Sequence, residues 1–148
     1  MPHHQSDDAA VAPVHTLTQR GAQRVIAAAA ETAVQQGIAV CIAAVDRAGE
    51  LVGFARLDGA PTLSIQLAQD KAYTVAAFNG VPTADWYDLI RDEPALLHGI
   101  VKTPRLVVFG GGVPVVVDGE VIGAVGVSGG SSKQDAEIAA AGAAAIRG

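Results

Sequence analysis

The sequence predicts an α+β domain, with helices layered on a mainly antiparallel five-stranded sheet. Two observations carry this. Hairpin turn chemistry occurs twice, at Asp46-Arg47-Ala48-Gly49 and at Asp118-Gly119, each between apolar runs of strand length. The element order read along the chain is α-β-β-α-α-β-β-β-α, which lacks the regular strand–helix alternation of a doubly wound parallel sheet.

Residues 1–15 are polar or small and read as a disordered arm, and residues 16–148 as one domain. Thr16 with Gln19 forms a capping-box pair, and Val25, Ile26, Ala29, Ala30, Ala33 and Val34 recur at helical spacing up to a stop at Gly37. Ile38 to Val45 is a continuous apolar run, the signature of a central strand buried on both faces. Glu50 to Asp58 follows as its hairpin partner. Leu63 to Phe78 returns to helical period after Gly59-Ala60-Pro61-Thr62. Pro82-Thr83-Ala84-Asp85 opens a shorter helix through about Arg91, with Thr83 as its cap. A loop holding Pro94, His98 and Pro104 leads to a strand at Leu106–Phe109. Gly110-Gly111-Gly112 then marks a bulge or a close backbone approach. Val113–Val117 and Glu120–Val127 flank the Asp118-Gly119 turn. Ser132 with Asp135 caps a final Ala-rich helix over 133–147.

Composition narrows function by exclusion. Ten Lys and Arg against fifteen Asp and Glu give a net charge of −5, which argues against nucleic acid and against an anionic membrane surface. The lone Cys41 permits no intrachain disulfide and no cysteine metal cluster. No apolar run is long enough to span a bilayer, and the first residues lack the charged-then-apolar pattern of a signal peptide, so the expected location is cytoplasmic. Half the residues are hydrophobic but only 4% are aromatic, at a mean hydropathy of +0.33. A surface this apolar on a small chain predicts a homo-oligomer.

Four places could carry chemistry. Alternation along the second strand puts Val52, Phe54, Arg56 and Asp58 on one face, with Arg56 and Asp58 at its end as an anion clamp or a surface ion pair. Lys71 falls inside the apolar arc of its helix, among Leu67, Val75 and Phe78. A lysine there meets a carboxylate, snorkels, or points into a cavity as a base or Schiff-base amine. His98 lies among apolar neighbours; alone it makes no zinc site, but it can hydrogen-bond or hold a haem iron. Finally, Val127-Ser128-Gly129-Gly130-Ser131-Ser132 joins a strand to a helix N-terminus, where backbone N–H groups can meet a carboxylate or simply form a capped turn. Trp86 and Tyr87 read as core or interface packing.

Several stretches resemble the GlcG/HbpS-like family, the haem-degrading family that includes the C-terminal domain of PduO-type proteins. They are Val45-Asp46-Arg47-Ala48-Gly49, Arg56-Leu57-Asp58-Gly59-Ala60, Asp70-Lys71-Ala72-Tyr73-Thr74-Val75-Ala76, and above all the segment from Gly111-Gly112-Val113-Pro114 to Val127-Ser128-Gly129, followed by Asp135. The resemblance runs from about Leu17 to Ile146. It implies a profilin-like fold of α/β/α layers and homo-oligomers, often octamers. It also implies haem binding in some members and a place in glycolate, diol or aromatic catabolism for others. The family's Lys-Ala-x-Thr helix maps onto Lys71, Ala72 and Thr74, its Arg-x-Asp strand onto Arg56 and Asp58, and its haem-contacting loop near His98 and Thr103.

Three readings follow. In the first, the protein is an oligomer binding haem or another planar anionic molecule: His98 lies near the iron, Thr103 lines the site, and Arg56, Lys71 and the Ser128-Gly129 turn meet carboxylates. In the second it is a small isomerase, lyase or hydratase of an oxo- or hydroxy-acid, with Lys71, His98 and Asp58 as acid/base groups and Arg56 as clamp. In the third it is a structural accessory oligomer. Asp58 set beside Lys71 favours the enzyme if the pair lines a cavity, and the structural role if the pair is sealed.

Overall fold

The computed structural model describes residues 9–147. The part of the expected disordered arm before residue 9 lies outside the described residues. Residues 9–15 carry no helix or strand, but His15 is held, its Nδ1 lying 2.8 Å from Glu120 Oε2.

The chain runs α1 (Gln19–Gln36), β1 (Cys41–Asp46), β2 (Leu51–Arg56), α2 (Leu63–Ala77), a 3-10 turn (Thr83–Asp85), α3 (Trp86–Ile90), α4 (Pro94–Ile100), β3 (Gly112–Val117), β4 (Glu120–Ser128) and α5 (Ser132–Ala143). All pairings are antiparallel, in the order β2-β1-β4-β3. β1 is central and buried along both faces, as its unbroken apolar run requires. Side chains alternate along it. Ile42 and Ala44 join Val25, Ala29 and Ala33 of α1 and Ile138 and Ala139 of α5 in one core. Cys41, Ala43 and Val45 join Ala68, Ala72 and Val75 of α2 in the other. The sheet is therefore the middle of three layers.

Small residues set the spacing of those layers. A Cβ at Gly126 on β4 would collide with the Ala68 carbonyl and lie 2.6 Å from Ala72 N, so only glycine lets the α2 backbone approach this closely. The Asp118-Gly119 turn takes φ of 53° and 77°, the left-handed pair that joins strands most tightly.

Among the described residues the sheet has four strands rather than five. Leu106–Phe109 forms no strand, because Val107 N donates to Thr74 Oγ1 (3.0 Å) on α2. β2 ends at Arg56, and Asp58 falls in the following turn, so strand alternation does not reach it. A bulge between Ala44 and Val45 shifts the register against β2 and divides the expected face: Val52 packs toward α1 and Phe54 toward α2. His98 sits on a helix, α4, not in a loop; Pro94 starts that helix at a position where a missing N–H costs nothing. Caps are displaced by small steps. Thr18, not Thr16, caps α1, while Thr16 Oγ1 accepts from Arg47 N; Ser131 with Gln134, not Ser132 with Asp135, makes the capping box of α5. Thr83 Oγ1 accepts from Gly112 N (2.8 Å), tying the 3-10 turn to β3.

Candidate functional site

Lys71 lies on the sheet-facing side of α2 in phase with Ala68, Ala72 and Val75, and its side chain is 1% exposed. Its Nζ donates to Val127 O (2.9 Å) and to Asp135 Oδ2 (3.2 Å) on α5. The other carboxylate oxygen, Asp135 Oδ1, accepts from Gly130 N at 2.8 Å. Lys71 passes the sheet at Gly111, whose φ is 136° and where a Cβ would stand 2.5 Å from Nζ. The Phe109 ring covers the ammonium at 5.1 Å. Burial lowers the Lys71 pKa, and the Asp135 charge and hydrogen bond oppose that shift. An open cleft of about 690 Å³ beyond Phe109 is lined by Phe109 and Gly110 but not by Lys71. The amine is thus engaged with a carboxylate and a carbonyl, and Asp135 rather than Asp58 is its partner.

The turn after β4 is closed by the chain itself. Gly130 N is taken by Asp135 and Ser131 N by Gln134 Oε1 (2.9 Å), so neither is free for an anion. Ser128 is buried with its Oγ 3.1 Å from Ser64 Oγ, and a Cβ at Gly129 would meet Ala39 O at 2.5 Å. Arg56 makes no ion pair with Asp58 among the described residues; its Nη2 donates to Ala60 O (3.2 Å). Arg56 stands opposite Cys41 in the sheet. Burial pushes the Cys41 thiol pKa up, with Arg56 pulling against it.

A second constellation surrounds the chain between α4 and β3. Thr74 Oγ1 lies 2.8 Å from Asp70 O and 2.9 Å from Arg105 O, which share its one hydroxyl hydrogen, and accepts from Val107 N. Arg105 adopts φ +67°, costly for a side-chain-bearing residue. Its Nε donates to Asp70 Oδ1 (2.9 Å), and its guanidinium lies 4.0 Å from the centre of the Tyr73 ring. These contacts fix the segment that carries His98, Lys102 and Thr103. His98 is exposed on α4, and Thr103 lines a pocket of about 240 Å³ with Tyr73, Phe78, Trp86, Ile100 and Leu106. Trp86 is 3% exposed, and its Nε1 has no hydrogen-bond partner among the described residues. A buried, unmet N–H costs about 1–3 kcal/mol.

The sequence-predicted site residues are therefore not one cluster. Lys71, Ser128 and Gly129 are internal, Arg56 and Asp58 lie at the end of β2, and His98 and Thr103 are on the far segment. Asp135 was read from sequence as a helix cap, and its second part was missed. The signal was present: Asp135, Ile138, Ala139 and Gly142 share one helical stripe, which places the acid on the buried face.

A four-stranded antiparallel sheet, clasped between helical layers by one sealed Lys–Asp pair, defines a layered α/β domain. The chain belongs to the HbpS-like family, described as haem degrading protein HbpS-like, whose family model matches residues 17–144. It is 38% identical over 112 residues to protein GlcG of Escherichia coli strain K12, covering 76% of this chain and 81% of GlcG. The crystal structure of protein ORFY of Klebsiella pneumoniae superposes with a TM-score of 0.85 at 31% identity, over 92% of this chain and 94% of ORFY. That of PduOC, solved as a haem complex, superposes with a TM-score of 0.79 at 34% identity, over 90% and 96% of the two chains.

Proposed function

We propose that this protein binds haem, or another planar anionic molecule, on the surface formed by α4 and the segment through Leu106, as a homo-oligomer in the cytoplasm. The observation that carries this reading is the concentration of suitable groups on one anchored stretch. His98 offers an exposed imidazole that would hold the iron, Thr103 a hydroxyl, and Lys102 with the outer edge of Arg105 the cations that carboxylates would need. Val101, 48% exposed, adds apolar surface to the same stretch. The haem complex of the 34% identical PduOC supports the ligand class.

The neighbouring pocket, at about 240 Å³, is smaller than sites that enclose a drug-sized ligand, roughly 300–1,000 Å³. A macrocycle on this surface would need a second copy of the chain to cover its other face. Haemin titration followed at the Soret band tests the reading. A saturable shift at one haem per subunit or per dimer is expected, lost in His98→Ala and accompanied by an oligomer in light scattering. Non-saturating binding that the variant leaves unchanged would overturn it.

A further inference from the structure

The sheet has two edges, β3 and β2, and they differ chemically. Along an antiparallel strand every second residue turns its N–H and C=O away from its neighbour. On β3 the residues turned outward before the bulge at Val115 and Val116 are Gly112 and Pro114, since Gly111 O accepts from Val127 N on β4. Both are blocked. Gly112 N is taken by Thr83 Oγ1, and Pro114 has no N–H to give.

β2 carries no such block. Leu57 N donates to Val40 O, which sets Ala55 and Gly53 toward β1 and turns Phe54 and Arg56 outward. Among the described residues nothing takes the outward N–H of either. Phe54 lies on the side of the sheet that faces α2, as does Cys41, the residue opposite Arg56. That helix packs mainly on β4, β1 and β3, which leaves Arg56 exposed and Phe54 only half-buried. The bulge opposite Ala44 and Val45 interrupts the edge before Gly53, and the turn ends it after Leu57.

We propose that this edge docks against β2 of a second copy of the chain, antiparallel about a two-fold axis at Ala55. Each Phe54 N–H then donates to Arg56 O of the other copy, and each Arg56 N–H to Phe54 O. Ala55 meets its own counterpart, and each guanidinium stands beside the other copy's Phe54 ring. A two-fold axis at Ala55 is the one that pairs both outward residues of both copies, so the edge is complementary to itself. With β3 blocked, two four-stranded sheets join into one and growth stops, a closed contact rather than a fibre. The proposal rests on the oligomer in the reading above and not on haem.

Sizing with light scattering on the full chain, over a range of concentrations, measures the association. Arg56→Pro copies the block that Pro114 sets on the other edge. It removes two hydrogen bonds across the axis and should weaken association about tenfold or more, with the β1 amide resonances in place. Ala55→Cys sets two thiols at facing positions and should form an interchain disulfide under mild oxidation. Val116→Cys, exposed on the blocked edge, should not, nor should the parent, whose Cys41 is buried. If Arg56→Pro disturbs β1, the Ala55→Cys cross-link decides. A monomeric parent would overturn the oligomer reading and this edge together. An oligomeric parent that a well-folded Arg56→Pro leaves unchanged, or that Ala55→Cys fails to cross-link, would overturn this edge alone and leave it to a foreign strand.

Discussion

Lys71 Nζ and Asp135 Oδ2, 3.2 Å apart, join the two helical layers that lie on opposite faces of the sheet. The contact is possible because α5 begins directly after β4, so its first turn stands at the sheet's end. Gly111 opens the gap through which the lysine reaches it, and Val127 O and Gly130 N complete the polar contacts. A buried pair contributes little net stability, but removing one partner strands a charge in the interior.

Lys71→Met should therefore destabilise the fold by about 3–5 kcal/mol in urea denaturation. The double variant Lys71→Met, Asp135→Leu should recover much of that loss. A single variant within about 1 kcal/mol of the parent would show that the charge is already solvated, as in surface pairs.

The lowered Lys71 pKa also gives stability a pH dependence of known sign. Below the folded value the lysine is charged both folded and unfolded, and the burial cost is fully present. As pH rises through the folded value toward the ordinary 10.5, the native state releases its proton first, so the unfolded state binds more protons and stability rises. The stability difference between the parent and Lys71→Met should shift toward the parent over this window. A shift toward the variant would contradict the assignment.

Gly126→Ala should cost about 3 kcal/mol or more, because the added methyl meets the α2 backbone rather than a yielding side chain. Thermal unfolding measures it. Gly119→Asn is the control, since a Cβ there meets nothing within 4 Å and Asn tolerates the φ of 77°.

Thr74→Val keeps the shape of the side chain and removes the hydroxyl that holds Arg105 O and Val107 N. A loss of about 2–3 kcal/mol is expected from two orphaned backbone groups. Hydrogen exchange should speed up at the Val107 amide and not at β1. Thr74→Ser should restore protection; uniform exchange across both regions would mean that Thr74 supports the whole fold and not this segment.

Much of the architecture was readable because its signals are local. The apolar run at 38–45 reads as a central strand, and Asp118-Gly119 as a tight hairpin. Helices ending at Gly37 and starting at Leu63 follow from period and punctuation. Errors arose where a competing partner lay far away in sequence. Leu106–Phe109 has strand composition, but Thr74 takes the Val107 N–H that a strand would have needed. The expected strand face at Val52, Phe54, Arg56 and Asp58 failed for two backbone reasons, a bulge and an early turn.

The sequence by itself placed Lys71 inside the apolar arc of its helix, because helical period alone assigns a residue to a face. It left open whether the lysine meets a carboxylate, snorkels or enters a cavity, and Asp135 read only as a helix cap. Only the tertiary structure decided that these two meet, that the pair is sealed, and that Trp86 is left with an unmet donor beside a pocket. Periodicity carries information about one element at a time. Which buried charge finds which, and which donor finds none, depends on how separate elements close against one another.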